Sequence, residues 1–367
     1  MLKKICDKLL LRPFFFAFLL LGALSLAVHL TASASPGFAD WIGKGISPFL
    51  RSLLAHLSAI IPFSIGEALI ALLPLWIFVL ILVARAVSRD RLRAARLFSA
   101  ILSVPLAVYT VFVFSFGVLY YAPALPERLD LPQKQITAEE LYDVASFLAT
   151  RAEEEAEAAD VRVLSGGSQM TGSYRQMNGA LLSSYARLSE KYDFIHHFPI
   201  ATKPVFFSDA MAYTHIVGVY TFFTGEANVC TALSDFSTVY TAAHEMAHAR
   251  GIAREDEANF IAFLACTEAD DPYIRYAGYM NLLQYVGNAL YATDEEAYRT
   301  LWKSVYSERI KSELISYNEV MERYAGSFAS DVADRVNNAY LEGMGTQGSV
   351  SYDLVVTLAV CYLQAEK

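Results

Sequence analysis

Two histidines four residues apart enclose a glutamate in the run His244-Glu245-Met246-Ala247-His248. On a helix, residues i and i+4 share a face, so both imidazoles reach a single ion. Glu245 lies beside that face, placed as a general base for a water that zinc makes acidic near neutral pH. So short a pattern also arises by chance, and its surroundings carry weight. Ala242, Ala243, Ala247 and Ala249 are small, strong helix formers that let such a helix pack deep in a core. Two imidazoles and a carboxylate buried there need partners, because unpartnered polar groups are costly to bury.

A third metal ligand follows by elimination. Gly251 suits a left-handed helix end. In the pattern HExxHxxGxxH the last histidine would fall at position 254, which is Arg254, so that ligand set is excluded. A later carboxylate must serve, and Glu255, Asp256 and Glu257 open the next helix. Glu257, Phe260, Ile261 and Leu264 form one inward stripe, which assigns Glu257 as the ligand and Asp256 as second choice. Glu255 falls on a more polar face and is assigned to the helix N-terminal dipole. Glu268, three turns on, misses the ion.

Other candidates are less marked. Ala227 and Asn228 follow the turn Thr224-Gly225-Glu226 and are placed beside the cleft as substrate-binding residues, since extended peptides pair with sheet edges. An oxyanion stabiliser is expected from Tyr, His or Arg. Tyr352 is the first candidate and His215 the second, each against a packing role. His196 and His197 read as surface or structural.

The elements that position these residues come next. Val217 to Phe223 reads as a largely buried strand, Ala227 to Thr231 as a second, and Ser237 to Ala249 as the motif helix. A further helix is expected from Glu255 to Ala269. Thr137 followed by Glu140 is a capping box that opens a helix to about Ala159. Ser165 to Gly179 reads as a loop without a phosphate-binding motif, and Ala180 to Tyr192 as a helix. Tyr352 to Leu363 is too short to span a bilayer and reads as a core helix. Cys230, Cys266 and Cys361 read as buried free thiols, with one disulfide as the alternative.

The stretches TGEANV, HEMAHARGIAREDEANF and GSVSY resemble a family of bacterial membrane proteins catalogued as domain of unknown function 3810. HEMAH followed by REDEANF also resembles the gluzincin type of zinc peptidase, in which two His and a downstream Glu hold the metal. The resemblance implies a zinc metallopeptidase with His244 and His248 as ligands, Glu245 as base and Glu257 as third ligand.

The front of the chain is different in kind. Residues 1–122 carry a net charge of +7 and the remainder −16. Apolar runs at about residues 13–30, 65–84 and 98–122 are each near the roughly 20 residues that cross a bilayer. Ala32-Ser33-Ala34 leaves a cleaved signal peptide as the alternative for the first. Phe38 to Pro62 reads as an interfacial or re-entrant helix. The arginines from Arg85 to Arg96 and the N-terminal lysines mark the cytoplasmic side, which puts residue 123 onward outside.

The expected architecture is mainly α: three N-terminal transmembrane helices at 1–122, then an extracytoplasmic α+β zincin-like domain with a small sheet at 123–367. The expected function is a membrane-anchored, zinc-dependent peptidase acting on a protein or peptide at the outer membrane face. A catalytically inactive metal-binding sensor or assembly protein is the alternative. A transporter fits poorly, because the spans hold almost no ionisable residues beyond Glu67. Nucleic acid is excluded as a partner, since the acidic unit would repel phosphate.

Overall fold

Uninterrupted apolar sequence makes the first helix, α1 (Pro13–Ala34), and Ser35 caps the second, α2 (Pro36–Ala59), by accepting from the Phe38 N–H. The computed structural model describes residues 13–132, 134–344 and 352–365. The chain is mainly helical with small sheets, and it divides into two units. One extends through Ala122 and includes Thr221–Gly225; the other holds Pro123–Tyr220 and the chain from Glu226 onward.

In the first unit, α3 (Ile65–Ala71) and α4 (Leu73–Val87) follow α2, then α5 (Arg91–Ser115) and a short 3-10 turn, Gly117–Tyr121. α1 and α5 are each long and apolar enough to cross a membrane. They pack against one another through small and polar groups. Ser25 Oγ meets Thr110 Oγ1 at 3.1 Å, and His29 lies between the hydroxyls of Tyr109 (3.1 Å) and Tyr121 (2.9 Å). The run expected as one span at 65–84 is a pair of helices bent by 56°. Pro74, in the first turn of α4, cannot donate to the preceding turn, so the ladder breaks there. The last apolar run leaves the α-helix at Ser115, short of the expected Ala122. α2 is amphipathic: Trp41, Phe49, Leu53 and Leu57 are exposed while Ala39, Ile42 and Ala55 are buried.

The second unit begins with α6 (Leu125–Arg128) and α7 (Ala138–Ala158), whose Thr137–Glu140 capping box forms reciprocally as expected. The hairpin β1 (Val163–Leu164) and β2 (Gly167–Ser168) leads to α8 (Tyr174–Lys191). α8 starts six residues before its expected position. Ser173 and Gln176 form a second capping box, and Gly179 is tolerated inside the helix. Then come β3 (Lys203–Pro204), α9 (Ser208–Ala212), β4 (Gly218–Thr221) and β5 (Glu226–Val229). These three strands lie in the order β3-β5-β4, with β3 parallel to β5. β4 is a half-exposed edge strand rather than the buried strand expected.

The core is built from α10 (Asp235–Ala249), α11 (Glu255–Thr267) and α12 (Pro272–Thr293). α7 lies along α12, and α13 (Glu295–Ser304), α14 (Glu308–Glu322), α15 (Phe328–Gly343) and α16 (Tyr352–Ala365) complete the unit. α16 buries Val355, Leu358, Ala359 and Val360, the core role expected of it. α10 is buried on almost every side, which the alanines permit: Ala242, Ala243, Ala247 and Ala249 are fully enclosed. Cys230, Cys266 and Cys361 are buried and unbridged.

Candidate metal centre

The geometry of α10 and its exit sets the centre. The helix ends in a Schellman turn: Gly251 N–H donates to the His248 carbonyl and Ile252 N–H to the Ala247 carbonyl. Gly251 has φ +103°, the left-handed conformation that glycine adopts without strain. The turn brings the Ile252 carbonyl back to His248, whose Nδ1 lies 2.7 Å from it. A carbonyl only accepts, so His248 Nδ1 carries the proton. His244 Nδ1 is held likewise, 2.9 Å from Asn259 Oδ1 on α11. With both Nδ1 atoms donating, both Nε2 lone pairs are turned outward, and they face one another at 3.0 Å.

Two lone pairs at that distance repel unless a cation sits between them. Glu255, the first residue of α11, brings Oε2 to 3.1 Å from His244 Nε2 and 3.4 Å from His248 Nε2. Donors about 2.0–2.1 Å from a tetrahedral ion lie about 3.3 Å apart. The three atoms therefore have the size of one face of a tetrahedral zinc site, and His244, His248 and Glu255 together are able to hold a metal ion. Electrostatics point the same way. Burial lowers the His248 pKa, but the Glu255 carboxylate overrides it and pushes the imidazole up to about 9. Against the effect of burial, the imidazoles hold Glu255 well below the usual carboxylate range.

The structure brings Glu255, not the expected Glu257, to the two imidazoles. Glu257 does point inward, as its stripe implies, but it is engaged elsewhere. Its Oε1 accepts from the Leu125 backbone N–H at 2.7 Å and from Arg254 Nη1 at 2.9 Å. The stripe argument takes the helix as uniform, whereas the chain doubling back at Gly251 lays the first residue of α11 against the imidazoles. Asp256 is not among the metal-competent donors either.

Glu245 lies beside the triangle, buried, with no hydrogen-bond partner for Oε2 among the described residues. Burial raises its pKa to about 7, against the opposing pull of His244 and His248. Its neighbour is the backbone of β4. A Cβ on Gly218 would fall 2.4 Å from Glu245 Oε1 and 2.7 Å from Thr241 Cγ2. Only glycine lets this strand lie so close, a signal the sequence reading did not use.

The remaining candidates fall away from the centre. Ala227 and Asn228 sit on β5, the middle strand, between the edge strands β3 and β4 rather than at a sheet edge. His215 Nε2 bonds the Tyr324 carbonyl at 3.1 Å. His196 Nδ1 bonds the Arg250 carbonyl and His197 is exposed, the structural and surface roles expected. The Tyr352 side chain lies outside the described residues.

Comparison with known proteins gives one family. A model described as "Protein of unknown function (DUF3810)" matches residues 43–360. No curated protein and no solved structure matches the chain.

Three outcomes follow for the full chain. Glu255→Ala loses bound metal by elemental analysis, whereas Glu257→Ala keeps it and loses about 1–3 kcal/mol of stability, because the Leu125 N–H and Arg254 are left unpaired. Equal metal content in the two variants refutes the assignment. A metal ion must displace the proton that His248 holds below about pH 9. Zn²⁺ affinity therefore rises about tenfold per pH unit up to that point and flattens above it, with proton release seen by calorimetry. An affinity indifferent to pH in that window contradicts the site. Gly218→Ala overpacks Glu245 and lowers stability by about 1–3 kcal/mol in chemical denaturation; an unchanged midpoint would show that β4 does not press on Glu245.

Proposed function

The chain belongs to the DUF3810 family, and from that premise we propose that it is a membrane-anchored zinc metallopeptidase. The observation that carries the reading is the pair of Nδ1-donating imidazoles whose Nε2 atoms meet at 3.0 Å beside Glu255. His244, His248 and Glu255 would hold the ion. When bound, zinc supplies Lewis acidity, polarising a carbonyl and lowering the pKa of a water.

The chain's own groups do the rest. Glu245, with a pKa near 7, takes the proton of the attacking water on its carboxylate and passes it to the leaving amine nitrogen. Asn259 and the Ile252 carbonyl keep the imidazoles in one tautomer and orientation. The edge strand β4, beside Glu245, receives the extended backbone of a peptide substrate, with Ala227 and Asn228 on the strand next to it.

The first unit anchors this chemistry to a membrane, through α1, α5 and the bent pair α3–α4 counted as a third crossing. The arginine-rich turn between α4 and α5 faces the cytoplasm, which puts the second unit and its protein or peptide substrate on the outer face.

The test is hydrolysis of a peptide library by the zinc-loaded full chain in detergent, read by mass spectrometry. Glu245→Gln keeps stoichiometric zinc and loses at least about 100-fold in rate, the range of a lost general base. Zinc bound by both proteins with no cleavage by either supports a metal-binding sensor instead.

A further inference from the structure

A cavity of about 540 Å³ opens between α12, α13 and α14, within the roughly 300–1,000 Å³ of small-molecule sites. One wall is aromatic. Tyr298, Trp302 and Tyr306 follow each other at four-residue intervals, with Tyr298–Trp302 ring centroids 6.2 Å apart and Trp302–Tyr306 5.6 Å. The facing wall carries the carboxamides of Gln284 and Asn288 on α12 and of Asn318 on α14. None of the three bonds a described residue. The amide of Asn281, further along the same helix, is by contrast satisfied by the Phe236 and Ala277 carbonyls.

The space is kept open at a cost. Gly287 sits mid-helix in α12, where glycine is about 0.5–1 kcal/mol less stable than alanine. A Cβ there would lie 3.2 Å from Tyr306 Oη and 3.5 Å from Tyr298 Cε2, so any larger side chain would fill the cavity. No charged residue lines it among the described residues, although the unit around it is strongly acidic.

We propose that this cavity binds a neutral saccharide. Aromatic faces stack on the apolar face of a sugar ring, and free carboxamides both donate to and accept from its hydroxyls. The absence of cationic lining disfavours phosphates and other anions. The walls are helical, with their backbone groups already paired, so an extended peptide finds no strand to join. Asn281, which also lines the cavity, donates to the Phe236 carbonyl of α10, two helical turns or about 12 Å before His244. The proposal is independent of the hydrolase reading, because binding is read without turnover.

The experiment is calorimetric titration of the full chain with the neutral tetrasaccharide of N-acetylglucosamine. The detergent must have a zwitterionic headgroup, since sugar headgroups would compete. Wild type is expected to bind saturably, and Trp302→Ala and the exposed Asn288→Ala to weaken binding by at least about tenfold. Both variants should keep wild-type zinc content, and Asn288→Ala the wild-type unfolding midpoint as well. Gly287→Leu is expected to abolish binding. No heat from wild type at about 10 mM sugar, undiminished affinity in Asn288→Ala, or tighter binding of a capped tetraglycine would each overturn the proposal.

Discussion

The centre of this protein is organised by a repulsion that only positive charge relieves. His244 and His248 each donate from Nδ1, to Asn259 and to the Ile252 carbonyl, and so both must turn an unshared pair on Nε2 into the same small volume. Glu255 adds a third electron-rich atom. Without a metal, a proton fills the role, and the raised pKa of His248 records that demand. The rest of the second unit holds these groups together. Tyr185 donates to the Ala243 carbonyl and Tyr240 to the Asn259 carbonyl, which fixes α10 against its neighbours.

The end of α10 is held by an unusual cation. Arg250 is buried, lies 4.2 Å over the Tyr185 ring, and donates to the Met246 and Phe198 carbonyls. Burial lowers its pKa to about 10, so it stays charged near neutrality. Carbonyls at a helix C-terminus and an aromatic face are the environment in which a guanidinium is least penalised without a carboxylate.

Much of the scaffold was legible because its signals are local. The His-x-x-x-His spacing, the Thr137 capping box and the glycine at position 251 each work through a few adjacent residues, and each appears where sequence placed it. The placements that differ from expectation share a different origin. Assigning Glu257 required knowing where the Leu125 segment would dock, 132 residues away. Assigning Ala227 and Asn228 to a sheet edge required strand order, and β3 pairs with β5 from across a helix. Gly218 carries no local mark either: its importance exists only where β4 meets Glu245. The bend between α3 and α4 lies between these cases, since Pro74 was visible but its geometry was not.

The three described cysteines are enclosed, separate from one another, and carry thiols whose pKa is raised by burial. The second unit therefore holds its shape through packing rather than covalent cross-linking. Maturation of that unit requires neither an oxidant nor a disulfide isomerase, and its stability does not depend on the redox poise of the compartment it faces. A fold of this kind is indifferent to whether the medium around it is reducing or oxidising.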